Sequence, residues 1–385
     1  MLRTTLEIVN LHIYPSVFKF ESRILKETHS IIRLGLASRV IIVSSGERTQ
    51  LAEENISDKI KVVRVKPSIP SVPFAKLNKA IFYLEFYIRT TIFSLCVRAN
   101  VINCHSLMML PVAVLVKRIQ RSKLIYDPHE LETERIGLRG VFQKLSKWVE
   151  KKLIYQTDAI IVVSESIRDW YRNTYQLNNV FTIKNIPQKT HPIKSNILKE
   201  KLKISTDHQV FLYQGLISEG RGIELYLNVF SKLNNHQHLV IIGYGPMEPI
   251  VREFAMKFPN VHFHPALPPD QILYYTCSAD VGLSVIENLC LSYYYCLPNK
   301  FFEYIAAGVP LIVSDFPDMS RPVKQYNIGW TVSVNEESLT KLIKNITQAD
   351  LNKKKSCLEK VRDSFAWEYE EPILSSVFDQ IYKTA

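Results

Sequence analysis

The chain has 385 residues, 46% hydrophobic and 22% charged, which is enough to fill real cores and long enough for two domains. Its six cysteines form no C-x-x-C pair, which argues for reduced core thiols in a cytosolic protein and against a disulfide scaffold or a cysteine zinc site. The net charge of +11 is uneven: residues 1–190 hold 29 Lys and Arg against 16 Asp and Glu, whereas residues 191–385 hold 19 against 21. A basic first half calls for an anionic partner, whether phospholipid headgroups, nucleic acid or an acidic substrate. No apolar run reaches the roughly 18–20 residues that span a bilayer; the richest, residues 80–99, is broken by Glu85, Arg89 and Arg98. The first residues include Arg3 but no apolar segment ending in small residues, so no signal peptide is expected.

Residues 6–11 read as a first strand, with a turn at Pro15 and Ser16, then a helix over 20–36 that ends near Gly35. Strands follow at 40–44 and 60–65, the second stopped by Pro67 and Pro70. Strands alternating with helices predict a parallel sheet. The expected loop at 12–16 lacks G-x-G-x-x-G, so NAD or FAD has no support. Residues 76–99 read as an aromatic helix, either buried or dipping into a membrane surface. Residues 100–105 and 124–130 each read as a strand with polar residues at its tip, placing His105, His129 and Glu130 at the carboxyl edge where α/β sheets bind ligands. Residues 139–155 predict an amphipathic helix, with Val141, Leu145, Trp148, Val149 and Leu153 on one face and Lys144, Lys147 and Lys151 on another. Such a helix either lies on an anionic membrane or packs its apolar face on its own sheet. Strands at 159–164 and 180–185 complete this half.

Residues 185–196 are polar with two prolines, a natural linker, and the strand-helix rhythm then restarts. A strand over 210–215 runs into Ser218-Glu219-Gly220-Arg221-Gly222 and a helix from Ile223. Arg221, just before that helix, is apt for a bidentate grip on phosphate. Strands at 239–243, 261–264 and 280–286 follow, with Gly243 and Gly245 after the first and Glu287 at the tip of the last. Residues 293–310, Y-Y-Y-C-L-P-N-K-F-F-E-Y-I-A-A-G-V-P, predict a loop, a helix over 299–307 and a strand. Pro298 suits the first helical turn and Gly308 the C-terminal cap. The helix start at 297–300, with Lys300 in its first turn, favours an anion. Glu303, one turn on, suits ribose hydroxyls, so the stretch fits a sugar-nucleotide; the competing reading is an ordinary helix with a surface Lys and Glu. Helices over 336–347 and 367–382 are expected in the tail.

Five pieces of this chain carry a resemblance: Y-D-P-H-E at 126–130, V-V-S-E-S-I at 162–167, Y-Q-G-L-I-S-E-G-R-G-I-E at 213–224, G-Y-G-P at 243–246 and L-P-N-K-F-F-E-Y-I-A-A-G-V-P at 297–310. With them the chain resembles, essentially end to end, the family 4 glycosyltransferases of GT-B architecture. That implies an α/β fold of two Rossmann-like domains with parallel sheets facing across a cleft. An acceptor-binding domain would span 1–188, a nucleotide-sugar-binding domain 197–365, and a helix within 366–385 would cross back. The resemblance gives Glu303 the donor ribose, and Arg221 the diphosphate in place of the family's Lys. Lys300, with Leu297 and Asn299, would act at the helix end. Gly215, Gly243 and Gly245 would shape the nucleotide wall. His129 would sit by the transferred sugar, with His105 and Glu130 on the acceptor side. Two departures stand out. Tyr295 replaces the Glu eight residues before Glu303 that normally touches the donor sugar, and Glu287 or the Tyr293–Tyr295 cluster would substitute. Leu216 replaces a frequent Arg, leaving more of the diphosphate to Arg221.

The resemblance further implies a retaining transfer by same-face attack, without a protein nucleophile. No D-x-D is present, so no cofactor or bridging metal is expected. The expected partners are a nucleotide-sugar donor, a glycan or polyprenyl-diphosphate-linked acceptor of a surface-polysaccharide pathway, and an anionic membrane surface met by the basic half. The expected location is cytoplasmic, peripheral at the inner face of the plasma membrane. No nucleic-acid module or aromatic-basic interleaving appears. The alternatives are a sugar-nucleotide epimerase or phosphorylase on the same architecture, or a non-catalytic sugar- or nucleic-acid-binding protein.

Overall fold

The computed structural model describes residues 7–19, 21–47, 49–66 and 75–383; Arg3, Leu6, Phe20, Pro67 and Pro70 lie outside these ranges. The chain divides into two compact units, Met1–Ile183 with Glu370–Ala385, and Lys184–Tyr369. The first unit runs β1 (Val9–Val17), α1 (Ser22–Arg33), β2 (Arg39–Ser45), β3 (Glu53–Ser57), β4 (Ile60–Val65), α2 (Ala75–Val97), β5 (Val101–Cys104), α3 (Leu110–Gln120), β6 (Lys123–Tyr126), α4 (Gly140–Leu153), β7 (Ala159–Val162), α5 (Glu165–Tyr175) and β8 (Val180–Thr182). Its sheet has the order β3-β4-β2-β1-β5-β6-β7-β8, parallel except for β3 against β4. The strands are short apolar runs buried on both faces, as parallel sheets require. β3, Glu-Glu-Asn-Ile-Ser, has no such run; it is a charged edge strand, which is why apolar patterning does not predict it.

β1 corrects the expected loop at 12–16, because the strand continues to Val17. Its register against β2 slips between Tyr14 and Val17, and Pro15 is accommodated at that irregularity, where a missing ladder N–H costs little. His12 is therefore a buried residue inside the sheet. From β4 onward every crossover steps the same way along the sheet, so right-handed connections put α2 to α5 on one face. α3 packs against both α2 and α4.

The second unit runs α6 (Ile197–Leu202), β9 (Gln209–Leu216), α7 (Ile223–Phe230), β10 (Gln237–Tyr244), α8 (Glu248–Lys257), β11 (Val261–Pro265), α9 (Pro269–Thr276), β12 (Val281–Ser284), α10 (Leu291–Tyr294), α11 (Asn299–Ala306), β13 (Leu311–Ser314), α12 (Pro317–Tyr326), β14 (Gly329–Val332), α13 (Glu336–Asn345) and α14 (Gln348–Val361). All its strands are parallel, in the order β11-β10-β9-β12-β13-β14. Alternate residues of β9 and β10 serve two cores: Val210, Leu212, Val240 and Ile242 face one, and Phe211, Tyr213, Leu239 and Ile241 the other. The last helix, α15 (Glu371–Lys383), belongs to the first unit and packs on α1, β7 and β8.

Each sheet reverses its direction of growth once, between β1 and β5 in the first unit and between β9 and β12 in the second. Ligands of open α/β sheets bind at the carboxyl ends of strands beside such a reversal.

Candidate functional site

In the second unit, β9 ends at Gln214-Gly215-Leu216 beside that reversal. Gly215 has φ +116, a backbone conformation that side-chain-bearing residues rarely adopt. Its neighbour in register is Gly243, where a Cβ would lie 1.9 Å from the Gly215 carbonyl oxygen. Only glycine lets the two strand ends close this tightly. A Cβ at Gly245 would likewise meet the Ile217 carbonyl oxygen, at 2.2 Å.

α11 opens at Pro298, whose extended backbone precedes the first turn. Lys300 points inward: it is buried, and its Nζ lies 3.5 Å from the centre of the Tyr213 ring. Burial, and then the positive charge of Arg221, push the Lys300 pKa well below the ordinary lysine value, while Glu303 pulls it back. The Arg221 guanidinium lies 4.8 Å from the Tyr293 ring centre, and its buried Nε has no hydrogen-bond partner. Two neighbouring cations, one with an orphaned N–H, are poorly satisfied by the protein alone. An anion at this point would supply what they lack.

Glu303 is half-buried and held by Gln214, whose Nε2 donates to its carboxylate. The Gln214 Oε1 lies 2.8 Å from the Thr276 hydroxyl. This relay fixes the carboxylate's direction. The other candidates divide. Asn299 is exposed and its Oδ1 accepts a 2.8 Å hydrogen bond from Asn185 Nδ2. Leu297 is buried in a core. Tyr295 is half-buried, with its ring 5.3 Å from that of Tyr294. Glu287 ties the glycine turn to the end of β12, since its N–H donates to the Gly220 carbonyl at 3.0 Å and its carboxylate accepts from the Gly222 N–H. Burial raises its pKa.

In the first unit, the expected strand-tip residues His105 and His129 belong to a buried network. Asn103 Oδ1 accepts from Asn10 Nδ2 at 2.9 Å, and Asn10 Oδ1 lies 2.7 Å from His12 Nε2. His12 Nδ1 lies 2.8 Å from His105 Nε2, and His105 Nδ1 lies 3.0 Å from Asp127 Oδ2 and 3.1 Å from His129 Nε2. Arg23 grips Asp127 with two nitrogens, at 2.8 and 3.3 Å, and also reaches the Ile183 carbonyl and Glu27. Burial opposes the Asp127 charge, but Arg23 and then the two histidines outweigh it and hold its carboxyl well below the usual range. Glu27 goes the other way. Burial and then the Asp127 charge raise it to about 8, so it carries a proton at neutral pH. Burial lowers His105 to about 4 against the pull of Asp127. The network thus holds one fixed ion pair, Arg23 with Asp127, beside a neutral His105 and a protonated Glu27. His129 is its partly exposed end, with its ring 6.2 Å from the Tyr14 ring and roughly parallel to it. Glu130 is half-buried and accepts from Arg135 at 3.3 Å.

Sequence reasoning passed over Gln214, Thr276, Asp127, Arg23 and His12. The available signal was polarity out of place: Asn10, His12 and Asn103 interrupt otherwise apolar strands, and Gln214 and Asp127 sit at strand tips.

Residues 33–186 match the family described as Glycosyltransferase Family 4, and residues 208–349 match Glycosyl transferases group 1. Among solved structures, sucrose-phosphate synthase from Thermosynechococcus elongatus superposes with a TM-score of 0.78 at 15% identity, over 98% of this chain and 100% of that one. A glycosyltransferase from Rickettsia africae gives 0.68 at 14%, over 99% and 100%. The Anabaena protein HepE, solved with UDP-glucose, gives 0.69 at 12%, over 98% and 99%. No curated protein matches the chain in sequence. Two parallel-sheet units with these matches define a glycosyltransferase of GT-B architecture. The chain belongs to glycosyltransferase family 4.

Proposed function

We propose that this glycosyltransferase takes a nucleotide-diphosphate-sugar in its second unit, with Arg221 and Lys300 on the diphosphate and Glu303 on the ribose hydroxyls. The observation that carries the reading is a pair of neighbouring cations, Arg221 with an unpartnered Nε before α7 and Lys300 buried in the first turn of α11, the latter one turn from a carboxylate already oriented by Gln214. As the sugar leaves, negative charge grows on the diphosphate, and cations fixed beside it stabilise that charge without reorganising. His129 is assigned to the transferred sugar, oriented by His105 and Asp127. The transfer proceeds with retention and needs no divalent metal. Thermal shifts with UDP, GDP, ADP and CMP, on the wild type and Glu303→Ala, test the donor site. A shift with one nucleotide that the variant loses supports it; an equal shift in both removes Glu303 from the ribose. Product anomers by NMR, with and without chelator, test retention and metal independence.

The acceptor proposed is a glycan or polyprenyl-diphosphate-linked glycan of a surface polysaccharide, reached by peripheral attachment to an anionic membrane. No helix among the described residues is long and apolar enough to cross a membrane. What supports attachment is α4. Its apolar residues face outward, with Val141 79%, Phe142 75%, Leu145 53% and Trp148 59% exposed. Its fully buried residue is instead Glu150, which accepts from the hydroxyls of Tyr126, Tyr171 and Tyr175. Neighbouring helices add exposed stripes, Leu84, Ile88 and Ile92 on α2, and Leu115 and Ile119 on α3. The carboxylates of the three helices, Glu85 and Glu150, are both buried, so the outer surface combines apolar side chains with lysines and arginines.

A further inference from the structure

A second cluster lies in the second unit, at the amino ends of β9, β10 and β11. That is the opposite end of the sheet from Gly215 and Gly243, roughly 20 Å away along an eight-residue strand. His208, His236, His238 and His262 meet there. His208 Nδ1 lies 2.9 Å from His238 Nε2, and His238 Nδ1 lies 3.0 Å from His262 Nε2. The three rings stack in file, with centres 5.1 and 5.2 Å apart. At the outer end, the His236 ring centre lies 4.5 Å from that of His208. The Asp207 carboxylate joins them, and one ligand atom from each of Asp207, His208 and His236 lies within 4.8 Å of the others.

The backbone holds this geometry. The His208 N–H donates to the Ser205 carbonyl at 3.1 Å, and the Gln209 N–H donates to the His236 carbonyl at 2.8 Å, so the turns before β9 and β10 are locked side by side. Two imidazoles and one carboxylate are a ligand set for a borderline divalent ion. Ligating histidines need their other ring nitrogen held, and here His238, backed by His262, holds Nδ1 of His208 and leaves Nε2 for the ion. The donor and sugar sites proposed above include none of these residues. The first unit also brings His105, Asp127 and His129 within ligand distance, but Asp127 is already paired with Arg23, whose fixed charge opposes a cation.

We propose that Asp207, His208 and His236 bind one borderline divalent metal ion, for which zinc is the probe, with His238 and His262 as positioning residues behind His208. The ion clamps the turns that start β9 and β10 and plays no part in donor binding. The test uses the full chain, free of any histidine tag and stripped of metal. Zinc is measured by equilibrium dialysis, cobalt by its visible absorption, and stability by thermal melting. The expected result is one zinc per chain at micromolar free ion, with a raised melting temperature, because an ion that binds only the folded state stabilises it. His236→Gln and Asp207→Asn, both at exposed positions, should each weaken binding by roughly tenfold or more, and His262→Gln, which touches no ion, by about tenfold. An unchanged affinity in His236→Gln, zinc lost in His129→Gln instead, or no zinc bound at micromolar free ion would each overturn the proposal.

Discussion

Lys300 and Glu303 sit one turn apart on α11 and carry opposite accounts with the fold. Glu303 is satisfied by Gln214 before any ligand arrives. Glu303→Gln should therefore keep the fold yet lose a charge-assisted bond to the donor, worth about 1.5–3 kcal/mol, or roughly 10- to 100-fold in affinity. Titration calorimetry with the cognate nucleotide reads this directly. Lys300 is the reverse case, a buried ammonium pushed toward its neutral form. Lys300→Met removes the desolvation cost and keeps most of the volume. It should melt no lower than the wild type, and higher if the charge is a net burden. Turnover should nevertheless fall roughly 100- to 1,000-fold, as when a preorganised charge-stabilising donor is removed. Arg221, Lys300 and Glu303 are legible in the sequence because glycine turns and a proline-opened helix announce where a backbone approaches a ligand. Gln214 and Asp127 are not, because a single polar residue at a strand tip has no pattern until the fold shows what it touches.

At the scale of elements, α4 shows what periodicity can and cannot say. The three- and four-residue spacing of Val141, Leu145, Trp148, Val149 and Leu153 predicts an amphipathic helix, and the helix is there. Spacing does not say which face turns inward. Here a carboxylate decides it: three tyrosine hydroxyls, from β6 and α5, converge on Glu150 and leave Val141, Phe142, Leu145 and Trp148 outside. β1 fails differently, since Pro15 reads as a turn but sits at a register slip where the sheet tolerates it. Phe142→Glu with Trp148→Glu tests the role of α4. Both sites are exposed, so stability should stay within about 0.5 kcal/mol per site. Flotation with anionic vesicles at low salt should be lost, and wild-type flotation should itself weaken as salt rises, because headgroup attraction is screened. A double variant that floats like the wild type would leave α4 without this role.

Across the whole molecule, the two parallel sheets are legible because both halves repeat short apolar strands between helices. The buried charges that distinguish the halves are not, since they depend on which polar groups the packing encloses. Those charges predict opposite responses to pH. In the first unit burial raises Glu150 to about 7, against three tyrosine donors, and Glu27 to about 8. Acids whose pKa is raised on folding stabilise fully below the unfolded value near 4.5, and that contribution is lost as pH climbs through 7 to 8. His105, lowered to about 4, has the other sign, but its contribution is complete above about 6.5 and adds no slope beyond it. Raising the pH from 6.5 to 8.5 should thus destabilise the first unit, by an amount on the order of 1 kcal/mol for Glu150 and about 2 kcal/mol for Glu27. In the second unit Lys300 is a base lowered on folding, so its burial costs less as pH rises toward 10.5. Glu287 is raised there too, but it is partly solvated and the effect is correspondingly damped. Hydrogen exchange followed by mass spectrometry, corrected for intrinsic rates, should show the first unit losing protection between pH 6.5 and 8.5 while the second holds or gains. Glu150→Gln should remove the smaller share of the first unit's loss, because the amide has no proton to give up, and should leave the larger share that Glu27 carries. If both units responded alike in the wild type and the variant, buried carboxyls would not govern the alkaline limb, and the raised pKa values of Glu150 and Glu27 would have to be withdrawn.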